Sequence, residues 1–183
     1  MPRAFTLIEV LIAVAIFILV IIAVFNIHIL SQGFYQKGET QAELLQNGRV
    51  ILERMTREIR QAREIVTELS DQESGATSTI LFEDGHSTTT YRYINYFKDN
   101  DLVKREVVGY YFSGDSAQTL VPWDSIPPQS QTLETKILES PLIIGEYVSS
   151  LKIWGLKLIQ VSLTLEDKNE DVKLQTKIFG RNF

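Results

Sequence analysis

Residues Phe5-Thr6-Leu7-Ile8-Glu9-Val10-Leu11-Ile12-Ala13 open a stretch that stays hydrophobic to Leu30, interrupted only by Thr6, Glu9, Asn26 and His28. From Val10 to Phe25 every residue is apolar. An α-helix rises ~1.5 Å per residue and needs roughly 20 apolar residues to cross a hydrocarbon core, so residues 5–30 read as a membrane-spanning helix. A secretory signal peptide shares the basic start that Arg3 supplies, but it has a shorter apolar run and ends in a small-residue cleavage site. Nothing of the Ala-x-Ala kind follows Leu30.

Two features set this segment apart from a plain anchor. The polar leader is only Met1, Pro2, Arg3 and Ala4, and the carboxylate of Glu9 sits inside the apolar block. An ionisable side chain in a membrane helix costs on the order of a few kcal/mol, so it marks a functional position and calls for a partner. Positive charge favours the cytoplasmic side, so Arg3 predicts a cytoplasmic N-terminus with everything after Leu30 on the far side of a single-pass inner membrane helix. His28 reads as an interfacial residue.

The run Ala4-Phe5-Thr6-Leu7-Ile8-Glu9-Val10-Leu11-Ile12-Ala13 closely resembles the class III signal of type IV pilins and type II secretion pseudopilins. The resemblance implies cleavage after Ala4 by a prepilin peptidase, methylation of the new N-terminus at Phe5, and retention of the apolar block in the mature chain. Ala4 stands where the family usually has Gly. Glu9 becomes the fifth mature residue, whose carboxylate the resemblance assigns to pairing with the amine of Phe5 during filament assembly. An amine brought to a desolvated carboxylate offsets much of the cost of burying either alone.

Beyond Leu30 the chain turns polar without a proline, so the helix is expected to continue through Gly33 and Gly38, each weakening it by up to about 1 kcal/mol. From Thr40 to Val66, Leu44, Gly48, Ile51, Leu52, Met55, Ile59, Ala62 and Val66 recur at spacings of three and four, which predicts one buried face. The other face pairs Arg49 with Glu53, Glu53 with Arg57, Arg54 with Glu58 and Arg60 with Glu64 four residues apart, and reads as a solvated, self-compensating surface. Those glutamates also argue against a nucleic-acid patch. The segment Leu45 to Ala62 resembles the second helical half of the minor pilins called PilW and of J-type minor pseudopilins. The expected layout is a leader at 1–4, a transmembrane helix at 5–30, its amphipathic continuation at 31–66 and a β-rich head at 67–183.

In the head, runs rich in Ile, Val, Thr, Tyr and Phe predict strands over 79–82, 88–97, 102–112, 149–156, 158–165 and 172–179, separated by turns such as Asp84-Gly85 and Asp99-Asn100-Asp101. Sequential hairpins predict an antiparallel meander. Residues 113–142, with Pro122, Pro127, Pro128 and Pro141, read as one long surface excursion. The two runs Val161–Leu165 and Leu174–Phe179 resemble the closing hairpin of PilW-like and J-like subunits. The fold class is therefore α+β, a pilin-like fold with a long N-terminal helix packed on an antiparallel β-sheet head.

A chain of 183 residues with net charge −5 repels a phosphate backbone, and the lack of cysteine removes disulfides, thiolate nucleophiles and cysteine-bound zinc. With His28 and His86 as its two histidines it offers no proton-transfer pair, no cofactor motif and no catalytic constellation. The acidic turns at Asp99–Asp101 and Glu166–Asp171 contain hard oxygen ligands but match no defined calcium spacing. The expected role is a minor pilin or minor pseudopilin that helps initiate or cap assembly of a type IV pilus or type II secretion pseudopilus. Its partners are then other pilin or pseudopilin subunits, the prepilin peptidase and the inner-membrane assembly platform. The rival is a membrane-anchored adhesive or ligand-binding protein that uses the helix only as a tether.

Overall fold

A computed structural model describes residues 6–86, 90–128 and 130–181. One helix, α1, runs unbroken from Leu7 to Gln61, through Gly33 and Gly38. The chain divides into two structural units, residues 1–40 and 41–183. In the first, α1 exposes its apolar side chains: Leu7, Phe17, Phe25 and Ile27 are each at least 65% exposed.

In the second unit the predicted stripe is the core-facing side of α1. Leu44, Ile51, Leu52, Met55, Ile59 and Ala62 are buried, and they join side chains of both sheets in one cluster. At Gly48 the helix packs closely on the second sheet, since a Cβ there would lie 2.5 Å from Leu174 Cδ1 and 2.8 Å from Leu165 Cδ1.

The helix ends at Gln61, short of the expected Val66. Beyond it the backbone finds better partners in a strand: Arg63 N–H donates to the Glu83 carbonyl (3.0 Å) and Val66 N–H to the Leu81 carbonyl (2.9 Å). Freed helix carbonyls are satisfied locally, Ile59 by Ala62 N–H (3.1 Å) and Arg60 by Arg181 N–H (3.3 Å). The expected Arg60–Glu64 pair therefore has no helical turn to sit on.

The strands are β1 (Thr79–Glu83), β2 (Tyr93–Asp99), β3 (Leu102–Phe112), β4 (Leu133–Gly145), β5 (Val148–Trp154), β6 (Leu158–Asp167) and β7 (Glu170–Phe179). They form two antiparallel meanders, β1-β2-β3-β4 and β5-β6-β7, in place of a single one. The chain passes from the edge of the first sheet to the second at Glu146 and Tyr147, where Tyr147 adopts φ 63° and Asn47 of α1 donates to the Glu146 carbonyl (3.0 Å). The sheets are tied where Thr77 bridges Ile153 and where Val148 N–H donates to the Asp101 carbonyl (2.8 Å).

β4 corrects the expected excursion, which is confined to the residues between Phe112 and Leu133. Pro141 is compatible with this strand because β4 is an edge and because the register slips there. Arg105 faces Leu142 and Val107 faces Glu139, leaving Ser140 and Pro141 opposite Glu106 alone, as in a bulge. The excursion that remains covers the outer face of the first sheet. Val121 bridges Tyr110, Trp123 N–H donates to Tyr93 Oη (3.0 Å), and the Tyr93 and Tyr110 rings meet edge-on at 5.1 Å. Alternation along β2 thus buries Ile94 and Tyr96 in the helix-facing core and Tyr93 beneath the excursion.

Candidate functional site

The start of α1 is built from Thr6 and Glu9, spaced as a capping box. Thr6 leads into the helix, its carbonyl accepting from Glu9 N–H (3.1 Å) and Val10 N–H (3.3 Å). The Glu9 side chain reaches back, so that Oε2 accepts from the Thr6 backbone N–H at 2.9 Å and from Thr6 Oγ1–H at 3.0 Å. The carboxylate therefore stands at the positive end of the helix dipole, exposed, and flanked by the exposed side chains of Ile8 and Val10. Ala4 and Phe5, the expected processing residues, lie outside the described residues. Two donors hold Glu9 Oε2 in place, and among the described residues its other oxygen, Oε1, has no hydrogen-bond partner.

Residues 2–25 match the prokaryotic N-terminal methylation motif. The chain carries a prepilin-type signal. No curated protein and no solved structure matches the chain. The motif is the mark of a type IV pilin-like precursor, and it implies processing by a prepilin peptidase and assembly with other pilin subunits. It points to a structural filament subunit, and with the long apolar helix it fits a membrane-anchored, single-pass protein. The α+β architecture, one long helix on antiparallel sheets, is consistent with the pilin-like fold.

In the head, one polar cluster escaped sequence reasoning. Glu58, assigned to the solvated face, is a half-buried anchor for the first sheet: Tyr96 Oη–H donates to its Oε2 at 2.8 Å and Arg105 Nε–H to the same oxygen at 2.9 Å. Arg54 Nε lies 3.6 Å from the other oxygen, the one expected helix-face pair that forms among the described residues. Arg105 continues to Glu139 on β4 (3.0 Å), which Arg92 also engages. Burial would lower the Arg105 pKa, but its hydrogen bonds and charge contacts with Glu58 and Glu139 hold it above its ordinary value. Arg105 in turn holds the Glu139 carboxyl below the usual range. Burial, with the Glu58 carboxylate beside it, pushes the Tyr96 phenol far up. The chain of charges fastens α1 to β2, β3 and β4.

The remaining candidates resolve individually. His28 hydrogen-bonds Gln32 (3.1 Å) and His86 sits 2.6 Å from Asp84, inside its own turn. The two acidic turns share one rim of the head, with Asn100 and Asp101 on one side and Glu166 and Asp167 on the other. Two of their carboxylates are engaged by lysines, Asp99 by Lys104 and Asp167 by Lys168 (3.6 Å). Among the described residues no three His, Asp or Glu side chains converge as a metal site requires.

Proposed function

We propose that this chain is a minor type IV pilin or minor pseudopilin, a filament subunit that helps initiate or cap assembly. The observation that carries the reading is Glu9, a carboxylate within the matched methylation motif on a helix segment whose described apolar side chains are exposed. Cleavage after Ala4 frees the Phe5 amine, and methylation leaves it cationic. In the membrane, burying Glu9 carries a desolvation cost that its hydrogen bonds from Thr6 reduce. Packing against a neighbouring helix buries the apolar surface, and a Phe5 amine from that neighbour meets the free oxygen of Glu9 in a low-dielectric setting where the attraction is strong. The head stays outside the helical core of the filament, on the non-cytoplasmic side that Arg3 favours. The motor, platform and peptidase are separate chains.

Substituting Glu9 by Ala tests this against the tether. A subunit that assembles through Glu9 loses incorporation into filaments while its head remains folded in the membrane fraction. A tethered adhesin keeps its surface activity unchanged, and that result would refute the assembly role.

A further inference from the structure

Between α1 and β7 lies an open groove of about 710 Å³, lined by the apolar Leu52 and Leu174 and by the charged Arg49, Glu53, Arg57 and Arg60, three cations to one carboxylate. All three arginines are exposed, and none has a carboxylate within 4 Å among the described residues. Among the described residues β7 has β6 as its one strand neighbour, so its other edge borders the groove at Leu174, Gln175 and Thr176. The groove is therefore a slot of net positive charge, with apolar lining and a strand edge unpaired among the described residues.

The same chain carries the complementary surface. From Glu64 to Tyr91 there is no Lys or Arg, and six acidic residues. Of these, Glu73 pairs with Lys152, Glu83 with Arg63 and Asp84 with His86. Glu64, Glu68 and Asp71 are exposed and have no cation within 4 Å among the described residues. Three unpaired carboxylates thus stand on the segment after the helix, and three unpaired guanidinium groups stand on the groove. They do not neutralise one another within one molecule.

We infer that the groove rimmed by Arg49, Arg57 and Arg60 receives the Glu64–Glu73 segment of a second copy of this chain. The inference rests on the filament-subunit reading and names the head contact that accompanies helix packing. Because the two surfaces differ, the contact is head-to-tail, and such heterologous contacts propagate into open helical arrays instead of closed dimers. Exposed charges across it steer encounter and set register more than they add affinity, so the contact weakens as salt rises.

The test uses the full chain, whose lack of cysteine leaves engineered thiols unambiguous. Thr56 lines the groove and Gln72 is exposed on the acidic segment. Copies carrying Thr56→Cys and copies carrying Gln72→Cys are co-expressed and oxidised in membrane and filament fractions at low salt. A cross-linked dimer is expected only when both copies are present. Its yield should fall about tenfold when the groove copy also carries Arg57→Glu and Arg60→Glu, and recover when the other carries Glu68→Arg and Asp71→Arg. Unfolding midpoints of the separate variants confirm that each head is folded. A dimer formed by either cysteine copy alone, or cross-links of the groove only to other proteins or to nucleic acid, overturns the inference. Absence of any dimer although the chain is present in filaments also overturns it and leaves the filament reading standing. Absence of the chain from filaments fails that reading instead.

Discussion

Arg105 Nε–H donates to Glu58 Oε2 at 2.9 Å, joining the middle of β3 to the last turns of α1. Tyr96 shares the same oxygen, and Glu139 takes the other end of the guanidinium. The head is thus held to its helix by an ion pair at the margin of the apolar core as well as by the core itself.

Removing one partner strands the other. Glu58→Ala should destabilise the head by about 3 kcal/mol, because Arg105 and the Tyr96 hydroxyl lose their acceptor in a half-buried setting. Tyr96→Phe should cost about 1 kcal/mol, the net worth of one hydrogen bond. Urea unfolding of the detergent-solubilised chain, followed by tryptophan fluorescence, measures both.

The tyrosines and carboxylates set opposite pH limits. Burial pushes Tyr93 up to about 12 and Tyr96 higher still, from an ordinary 10.0, so both phenols favour the folded head while neutral. That contribution is fully present below pH 10 and is lost as pH rises through the folded-state values. Glu139, lowered chiefly by its hydrogen bond to Arg105, works in the other direction. Its contribution is present above the ordinary 4.5 and is lost as pH falls through the depressed value. Thermal unfolding should show a plateau between these limits with a decline on each side.

The glycines separate a close approach from open space. A Cβ on Gly85 would lie 2.0 Å from the Gln61 carbonyl oxygen, a backbone atom at the helix terminus. Gly85→Ala should cost about 2 kcal/mol or more. At Gly38 a Cβ meets nothing within 4 Å, so Gly38→Ala should be neutral or stabilise α1 by up to about 1 kcal/mol. Urea midpoints for the head and helix content by circular dichroism distinguish the two.

Thr6 prepares Glu9. Thr6→Val removes the hydroxyl donor while leaving the backbone one, and should lower filament incorporation several-fold. Thr6→Ser restores the donor and should restore incorporation. Quantitative blotting of sheared filaments against membranes provides the measurement.

Much of this was legible in the residues. The apolar block, the 3.6-residue stripe from Leu44 to Ala62 and the hairpins around Asn100 and Asn169 follow from local periodicity and turn chemistry, and the structure has them at or near the expected positions. What stayed hidden depends on distant neighbours. Glu58 lies three residues beyond Met55 and four before Ala62, on the stripe by spacing, but its charge and its fit with Arg54 drew it to the solvated face. The stripe was a signal that could have found it. β4 shows little alternation in its burial and carries Pro141, so it reads as loop until β3 supplies the ladder. Val66 continues the helical spacing, yet pairing with Leu81 outcompetes another helical turn. At the candidate site, Glu9 stood out as a charge among apolar residues, while its link to Thr6 followed only from helix geometry. Ala4 and Phe5 rest on the motif alone.

The central claim is that a peptidase makes Phe5 the first residue and that its methylated amine serves Glu9. Intact-mass and N-terminal peptide mass spectrometry of the chain purified from its producing cell tests this directly. The account predicts a chain starting at Phe5 and carrying one added methyl group on its N-terminal nitrogen. A mature protein that retains Met1 to Ala4, or one that starts at an unmethylated residue beyond Leu30, would contradict it.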